Sequence, residues 1–163
     1  MNKRTLARWA LFAGLMTALN LASANSTTGA GCPAPSEITP VHLYGEWTLR
    51  LWPLEGKESA PSSVGRLVFE RHPEFPGSVR GQLSRSIEGG QEAQALVSGD
   101  ATDDGFSLDE SADGVTIDAV WDGDLPASGC GREIRGVRSP AESGAQHDQP
   151  ILNFQLKKLP GWR

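Results

Sequence analysis

The sequence predicts an all-β protein, an eight-stranded antiparallel up-and-down barrel, with a β-sandwich as the alternative. Apolar and polar residues alternate with a period of two in successive short segments, which is typical of half-buried strands. Glycine- and aspartate-rich turns separate these segments, and residues 25–163 show no helical periodicity. Connections of hairpin length favour strands paired in chain order, and closure of such a sheet removes its exposed edges.

The first predicted strand has the clearest pattern. Between residues 43 and 51, Trp47 alternates on one face with leucine and glycine, whereas Glu46 and Arg50 lie on the other face. Pro53 ends this strand because proline cannot donate to a ladder. The turns Asp103-Asp104-Gly105 and Asp113-Gly114 predict hairpins. The other predicted strands cover 66–71, 78–85, 93–99, a short segment with Phe106 and Leu108, 115–121, 130–137 and 151–158.

The start of the chain is typical of a secretory signal peptide. Three cations precede the apolar run 9–22, and the small residues Ala22-Ser23-Ala24 follow it. An uncleaved anchor is the alternative, but a helix of that run rises only about 21 Å against the roughly 30 Å of a membrane core. The sequence therefore divides into a signal peptide at 1–24, an extended arm at 25–40 and a β-barrel domain at 41–163.

The cysteines and the net charge limit the compartments in which the protein can reside and the partners that it can bind. An exported chain whose only cysteines are Cys32 and Cys130 predicts one disulfide, with two free thiols as the alternative. Closing a loop of about 100 residues stabilises by about 4–5 kcal/mol in the chain-entropy model. The formal net charge is -5 and no basic stripe is present, so we expect a periplasmic or secreted protein that binds no nucleic acid. No segment after the signal peptide predicts a membrane-spanning helix.

Catalytic and metal-binding motifs are missing from the sequence. The three histidines, His42, His72 and His147, are scattered, and neither a GxSxG motif nor a Cys/His cluster is present. Nine acidic residues crowd positions 100–124, where aspartate before glycine fits tight turns better than a calcium loop. The sequence therefore predicts a protein that is not an enzyme, with no cofactor and no metal site.

The segment 43–49 (LYGEWTL) resembles the Gly-x-Trp opening of the calycin superfamily, which includes lipocalins and small Inh-type metalloprotease inhibitors. Gly45 and Trp47 carry the match. The resemblance implies that the tryptophan plugs one end of the barrel and that a late-strand arginine packs across its ring. Arg132 and Arg135 are the candidates for that arginine.

Two features depart from these relatives. Inh-type inhibitors usually bridge cysteines that lie nearer each other than Cys32 and Cys130, and lipocalins carry a helix before the last strand where residues 139–150 predict a loop. In Inh-type inhibitors the N-terminal arm enters the protease cleft. The arm at 25–40 has a suitable composition, but Cys32 would restrain it.

Alternation also places arginines toward the barrel interior. Arg85 follows Val79, Gly81 and Leu83, while Arg132 is expected to share the inner face with Ile134. An unpaired guanidinium inside a barrel is costly and should meet a carboxylate, an aromatic face or a bound anion. The hypothesis is a barrel mouth for an anionic or amphipathic ligand, and the alternative is strand-end arginines that reach water. The candidate ligand-binding residues are Trp47, Arg85, Trp121 and Arg132.

Two aromatic residues have the sequence context of exposed positions. Phe75 lies between prolines in a turn and Trp162 lies beside the C-terminus, so each is either a partner contact or a plug over a barrel end. The expected function is that of an exported, non-catalytic binding or interaction protein, with a small ligand or a secreted or envelope protein as its partner. Inhibition of a secreted metalloprotease is the alternative, and a structural role in the envelope is the second alternative.

Overall fold

The computed structural model describes residues 31–87, 90–102, 105–142 and 149–161. The predicted signal peptide at 1–24, residues 25–30 of the predicted arm, and Trp162 lie outside the described residues.

The described residues form a closed barrel in which eight strands pair antiparallel in chain order and the last strand pairs with the first. This confirms the predicted up-and-down barrel and excludes the sandwich. The strands are β1 Gly45–Pro53, β2 Ser63–Arg71, β3 Ser78–Ser86, β4 Glu92–Thr102, β5 Gly105–Ser111, β6 Ala119–Asp124, β7 Glu133–Pro140 and β8 Leu152–Lys158.

Strand β6 begins later than the sequence predicts, and the cause is a side chain. The Asp113 carboxylate accepts hydrogen bonds from the backbone N–H groups of Val115 and Thr116 at 2.8 and 2.7 Å. These bonds hold residues 112–118 in a loop, because a carboxylate competes with the ladder for the same backbone donors. Alternation of Val115 and Ile117 therefore occurs outside the sheet.

The described part of the arm is not fully extended. Pro35–Glu37 form one turn of 3-10 helix, and α1 is a single turn over Pro40–Leu43. Proline opens both turns, where its missing N–H costs nothing. Ile38, between the two turns, is buried and contacts the barrel core, so this segment packs across one end of the barrel.

Aromatic side chains fill the interior. Trp47, Phe69 and Phe106 form a chain of edge-to-face contacts with centroids 6.1 and 6.0 Å apart, and Trp121 contacts Phe154 at 5.0 Å. Pairs in this geometry add to the stability that burial itself provides. The core is thus a packed one and not a wide cavity between the walls.

Glycines on the strands allow the sheet to bend tightly enough to close. At Gly136 a Cβ would overlap the carbonyl oxygen of Asp122 on the neighbouring strand, and at Gly99 it would overlap that of Ser107. Barrels of this size need such positions because the strands coil sharply where the wall turns a corner.

Cys32 and Cys130 form the predicted disulfide, with their Cα atoms 4.8 Å apart. The bridge joins the arm to the connection between β6 and β7. None of the helices in the described ranges is long and apolar enough to cross a membrane.

Candidate functional site

The barrel has two chemically different ends. The tied end lies where β1 begins; the arm, the Cys32–Cys130 bridge and Trp47 close it. The charged end lies where β1 finishes, and its interior holds Arg85, Glu110 and Arg138. Each name refers to these residues throughout.

Trp47 seals the tied end. Its side chain is fully buried and its Nε1–H donates to the carbonyl oxygen of Leu43 at 2.8 Å. The Nζ atom of Lys158 lies 5.8 Å from the centroid of the ring and also donates to the carbonyl of His42. Lys158 therefore occupies the position over the ring that the calycin resemblance assigns to an arginine.

Neither arginine proposed for that position lies over the Trp47 ring. Arg132 is exposed and precedes β7, which begins at Glu133. The expected inner-face position of Arg132 is therefore wrong: Cys130 and Gly131 adopt positive φ values of 50° and 68°, which breaks the alternation before the strand starts. Arg135 points outward and pairs with Glu58 and Glu133.

The charged end is built by four strands whose inner faces carry charged or hydrogen-bonding side chains close to this rim. Arg85 comes from β3, Glu110 from β5, Trp121 from β6 and Arg138 from β7. Trp121 and Arg138 are direct cross-strand partners. Because the strands are antiparallel and in register, inward residues near one rim converge although they lie far apart in sequence.

Glu110 is the centre of this cluster. Arg138 binds it with two bonds, Nε to Oε2 at 2.7 Å and Nη2 to Oε1 at 3.2 Å, and Trp121 Nε1–H donates to Oε2 at 3.0 Å. Burial alone would raise the pKa of Glu110, but the bonds and charge of Arg138, with smaller contributions from Arg85 and Trp121, hold it below its ordinary value. The carboxylate is therefore ionised in the folded protein at neutral pH.

Arg85 is held much more loosely. Its Nη2 atom reaches Glu110 Oε1 at 3.5 Å, an oxygen that Arg138 already uses, and its buried Nε–H has no hydrogen-bond partner among the described residues. Only 7% of its side chain is exposed. Burial lowers the pKa of Arg85, Glu110 opposes that effect and the nearby Arg138 charge adds to it. Arg85 is thus a desolvated cation with an unused donor.

Asp118 is the other buried carboxylate in the described residues, and it serves the local backbone. It accepts the N–H of Ala112 at 2.8 Å and makes no ion pair with Arg85. The described ranges contain no group of three or more His, Cys, Asp or Glu side chains arranged to hold a metal ion.

The structure brings two of the four candidate ligand-binding residues together. Arg85 and Trp121 meet at the charged end, Trp47 lies at the tied end and Arg132 lies outside the barrel. Sequence reasoning missed Glu110 and Arg138. A signal for both was present, because Glu110 continues the inward phase of Phe106 and Leu108, and Arg138 lies two alternate positions beyond Ile134.

Phe75 does not plug the barrel. It is 58% exposed, and its ring contacts His72 with centroids 4.8 Å apart. The His72 Nδ1 atom accepts the N–H groups of Glu74 and Phe75, which fixes this turn. Phe75 is therefore held outward on the β2–β3 connection, as a contact residue would be.

The fold and the site define a small closed β-barrel with a packed core and buried charges at one end. A comparison with solved structures finds a de novo designed fluorescence-activating β-barrel at 14% identity and TM-score 0.52, covering 74% of this chain and 96% of that one. The structure of EF1p2_mFAP2b bound to DFHBI matches at 13% identity and TM-score 0.52, covering 74% and 97%. This likeness shows the fold. No family model matches the chain. No curated protein matches it either.

Proposed function

We propose that this protein is an exported, non-catalytic binding protein that holds a small anionic, amphipathic ligand at the charged end of its barrel. The observation that carries this proposal is Arg85: a buried guanidinium that shares its carboxylate with Arg138 and keeps an unpaired Nε–H. A buried donor without a partner costs free energy, and a ligand carboxylate or sulfonate would remove that cost.

The position of Arg85 suits such a ligand. It is the penultimate residue of β3, so its guanidinium lies next to the rim and not in the middle of the core. Arg85 lines a cavity of about 660 Å³, where the exposed Val64 offers apolar contact to the rest of an amphipathic molecule. Gly65 is the cross-strand partner of Arg85 and lines the same cavity, and a Cβ at Gly65 would overlap the backbone of Arg85, so the two strands approach closely there.

Three further observations support parts of the proposal. The disulfide is typical of an oxidising compartment, which supports export. The buried Glu110 carboxylate is ionised at neutral pH and accepts two hydrogen bonds from Arg138, so it has no proton to donate as a general acid. Of the two structural neighbours named above, one is bound to a small molecule, DFHBI, which supports a small ligand as the occupant of this fold.

The described part of the arm gives no support to the Inh-type alternative. Residues 31–44 are anchored through Cys32 and Ile38 and lie against the barrel. Inhibition of a secreted metalloprotease therefore stays a prediction, as does a structural role in the envelope.

A pair of dyes tests the charge requirement. 1-Anilinonaphthalene-8-sulfonate is anionic and amphipathic, and N-phenyl-1-naphthylamine is its uncharged relative; each is titrated by fluorescence against the full chain. We expect saturable binding of the anion, at least about tenfold tighter than the neutral dye, and competition by octanoate. Equal affinity for the two dyes contradicts the proposal.

The matched variants are Arg85→Met and Arg71→Met. Arg71 is an exposed arginine at the end of β2, at the tied end of the barrel, so its replacement removes one positive charge far from the charged end. We expect Arg85→Met to weaken binding of the anionic dye by about tenfold or more and Arg71→Met to leave it unchanged. An equal loss in both variants would indicate unspecific attraction.

A further inference from the structure

A groove runs along the outer wall of β4 and β5, and the proposed function does not use it. Its larger part, about 450 Å³, is lined by Leu96, Asp109, Val115 and Ile117 among others. A smaller adjoining part, about 330 Å³, also contains Asp109 and continues to Phe75. We refer to the two parts together as the outer groove.

The ends of the outer groove are apolar and exposed. Val115 is 88% exposed at one end, beside the exposed Leu96 and Ile117, and Phe75 is exposed at the other end. Contiguous exposed apolar side chains at the rim of a groove are characteristic of contact surfaces. Leu96, Val115 and Ile117 form such a patch at one end, and Phe75 is a single exposed aromatic side chain at the other.

Both apolar ends are held in fixed conformations. The Val115 loop is locked by Asp113, whose carboxylate accepts from Val115 N, Thr116 N and Ser111 Oγ. Gly114 in this loop packs onto Leu96, so closely that a Cβ at this position would lie 3.0 Å from Leu96 Cδ1. His72 fixes the Phe75 turn in the same way. A surface ordered before binding loses less entropy on binding.

The middle of the outer groove is acidic. Asp109 and Asp100 line it, and Asp122 follows on the outer face of β6, where it pairs in register with Ser107. None of these three carboxylates forms an ion pair within the described ranges, and Arg80, the cation lining the groove, is bound to Glu70 at 2.9 Å. Partial burial, followed by repulsion from Asp100 and Asp122, raises the pKa of Asp109.

We infer that the outer groove docks an extended segment of a partner protein in which basic residues are flanked by aliphatic ones. The basic side chains would lie against Asp100 and Asp109, and the flanking aliphatic side chains would contact Phe75 at one end and Val115 with Leu96 at the other. Charge complementarity selects this occupant over an acidic or purely apolar segment. Because a strand rises about 3.3 Å per residue, a segment of about nine residues spans roughly 30 Å.

The probe is a fluorescein-labelled nonapeptide, acetyl-GLVKRKVLG-amide, with acetyl-GLVEEEVLG-amide as its acidic counterpart. Binding to the full chain is followed by fluorescence polarisation at low and high salt. We expect saturable binding of the basic peptide, loss of affinity as salt rises, and no binding of the acidic one. Equal binding of both peptides, or no saturation of the basic one by about 1 mM, overturns the proposal.

Groove variants locate the contact. We expect Val115→Asn and the pair Asp100→Asn with Asp109→Asn each to weaken binding of the basic peptide by about tenfold. Val41→Asn is the matched apolar control, since Val41 is a valine that is 63% exposed outside the groove, and the pair Asp124→Asn with Glu55→Gln is the matched acidic control. Unchanged affinity in both groove variants overturns the proposal.

A second copy of the chain is the competing occupant of the outer groove, and a separate experiment distinguishes it. Sedimentation of the unliganded protein over a range of concentrations shows a monomer under this proposal. A dimer that Val115→Asn dissociates would assign the outer groove to self-association and overturn the inferred partner.

Discussion

The two ends of the barrel are closed by opposite means. At the tied end an apolar plug, Trp47, is backed by a covalent bridge, and its one polar atom is satisfied by the Leu43 carbonyl. At the charged end the last inward residues are charged, and one of them, Arg85, is left with an unused donor. The tied end therefore adds to the stability of the fold, whereas the charged end gives up some stability.

Buried ion pairs explain why this difference matters. Bringing charges into a core costs several kcal/mol each, and the attraction between them repays the cost only when the geometry is good. Arg138 and Glu110 meet that condition with two hydrogen bonds, of 2.7 and 3.2 Å, whereas the single contact of Arg85 at 3.5 Å does not. The tied end contains no such deficit in its described residues.

The largest effect is expected from removing the shared carboxylate. Glu110→Gln leaves two buried guanidinium groups without their counterion, so we expect the free energy of unfolding to fall by about 3–5 kcal/mol. Urea unfolding measures it. The control Glu46→Gln breaks the partly exposed pair with Arg66 and should cost less than about 1 kcal/mol. Similar losses for the two variants would erase the distinction between buried and surface pairs.

Breaking the bridge should sharpen the contrast between the ends. For the double variant Cys32→Ser with Cys130→Ser the unfolded chain regains the freedom of a loop with 98 residues of separation, and we expect a loss of about 2–4 kcal/mol, the usual range for a disulfide, which lies below the chain-entropy value. Hydrogen exchange should quicken more at Leu43 and Trp47 than at Arg138, because easier global unfolding affects both ends whereas loss of the bridge also permits local opening of the tied end. Uniform quickening at both ends would show that the bridge does not act on the tied end in particular.

The hydrogen bond of the plug is the next smaller contribution. Trp47→Phe keeps an aromatic ring but leaves the Leu43 carbonyl without its donor, so we expect a loss of about 1–2 kcal/mol. Trp52→Phe in the same strand is the matched control, since no hydrogen bond from its indole is present in the described structure and its cost should be lower. A larger loss in the free energy of unfolding for Trp52→Phe than for Trp47→Phe would contradict this role of the hydrogen bond.

Acid should weaken the charged end and the adjoining loop. The pKa of Glu110 is lowered in the fold, so its contribution is present above the ordinary value of 4.5 and is lost as pH falls below it. Backbone hydrogen bonds from Thr116 and Val115 lower the pKa of Asp113 from 3.8 to about 2, which extends the loss to lower pH. The free energy of unfolding, measured from pH 6 downward, should therefore fall less steeply in Asp113→Asn than in the parent chain. A parallel decline in parent and variant would contradict this.

Much of the barrel follows from alternation alone. Eight strands and their order are predictable because each strand has one buried face and each hairpin has its own turn residues, and the disulfide is predictable because the chain has only two cysteines. The failures are at Val115 and Arg132. In the first case a side chain, Asp113, captures the backbone donors, and in the second positive φ angles at Cys130 and Gly131 delay the strand. Neither event changes the apolar–polar pattern, so periodicity could not reveal it.

The site was less accessible to sequence reasoning. Arg85 and Trp121 could be proposed from their inward phase, but the pairing of Arg138 with Glu110 joins residues on strands that are not neighbours. Which inward polar residues converge depends on the stagger of the closed barrel, and that stagger is a property of the whole sheet.

The most direct test of the account is the free energy of unfolding of Arg85→Met without ligand, compared with the parent chain. If Arg85 is retained for an anion and not for the fold, methionine should leave stability unchanged or raise it, because Glu110 keeps both bonds from Arg138 while a desolvated cation is removed. A loss of more than about 2 kcal/mol would show that Arg85 is a structural counterion and would contradict the central claim.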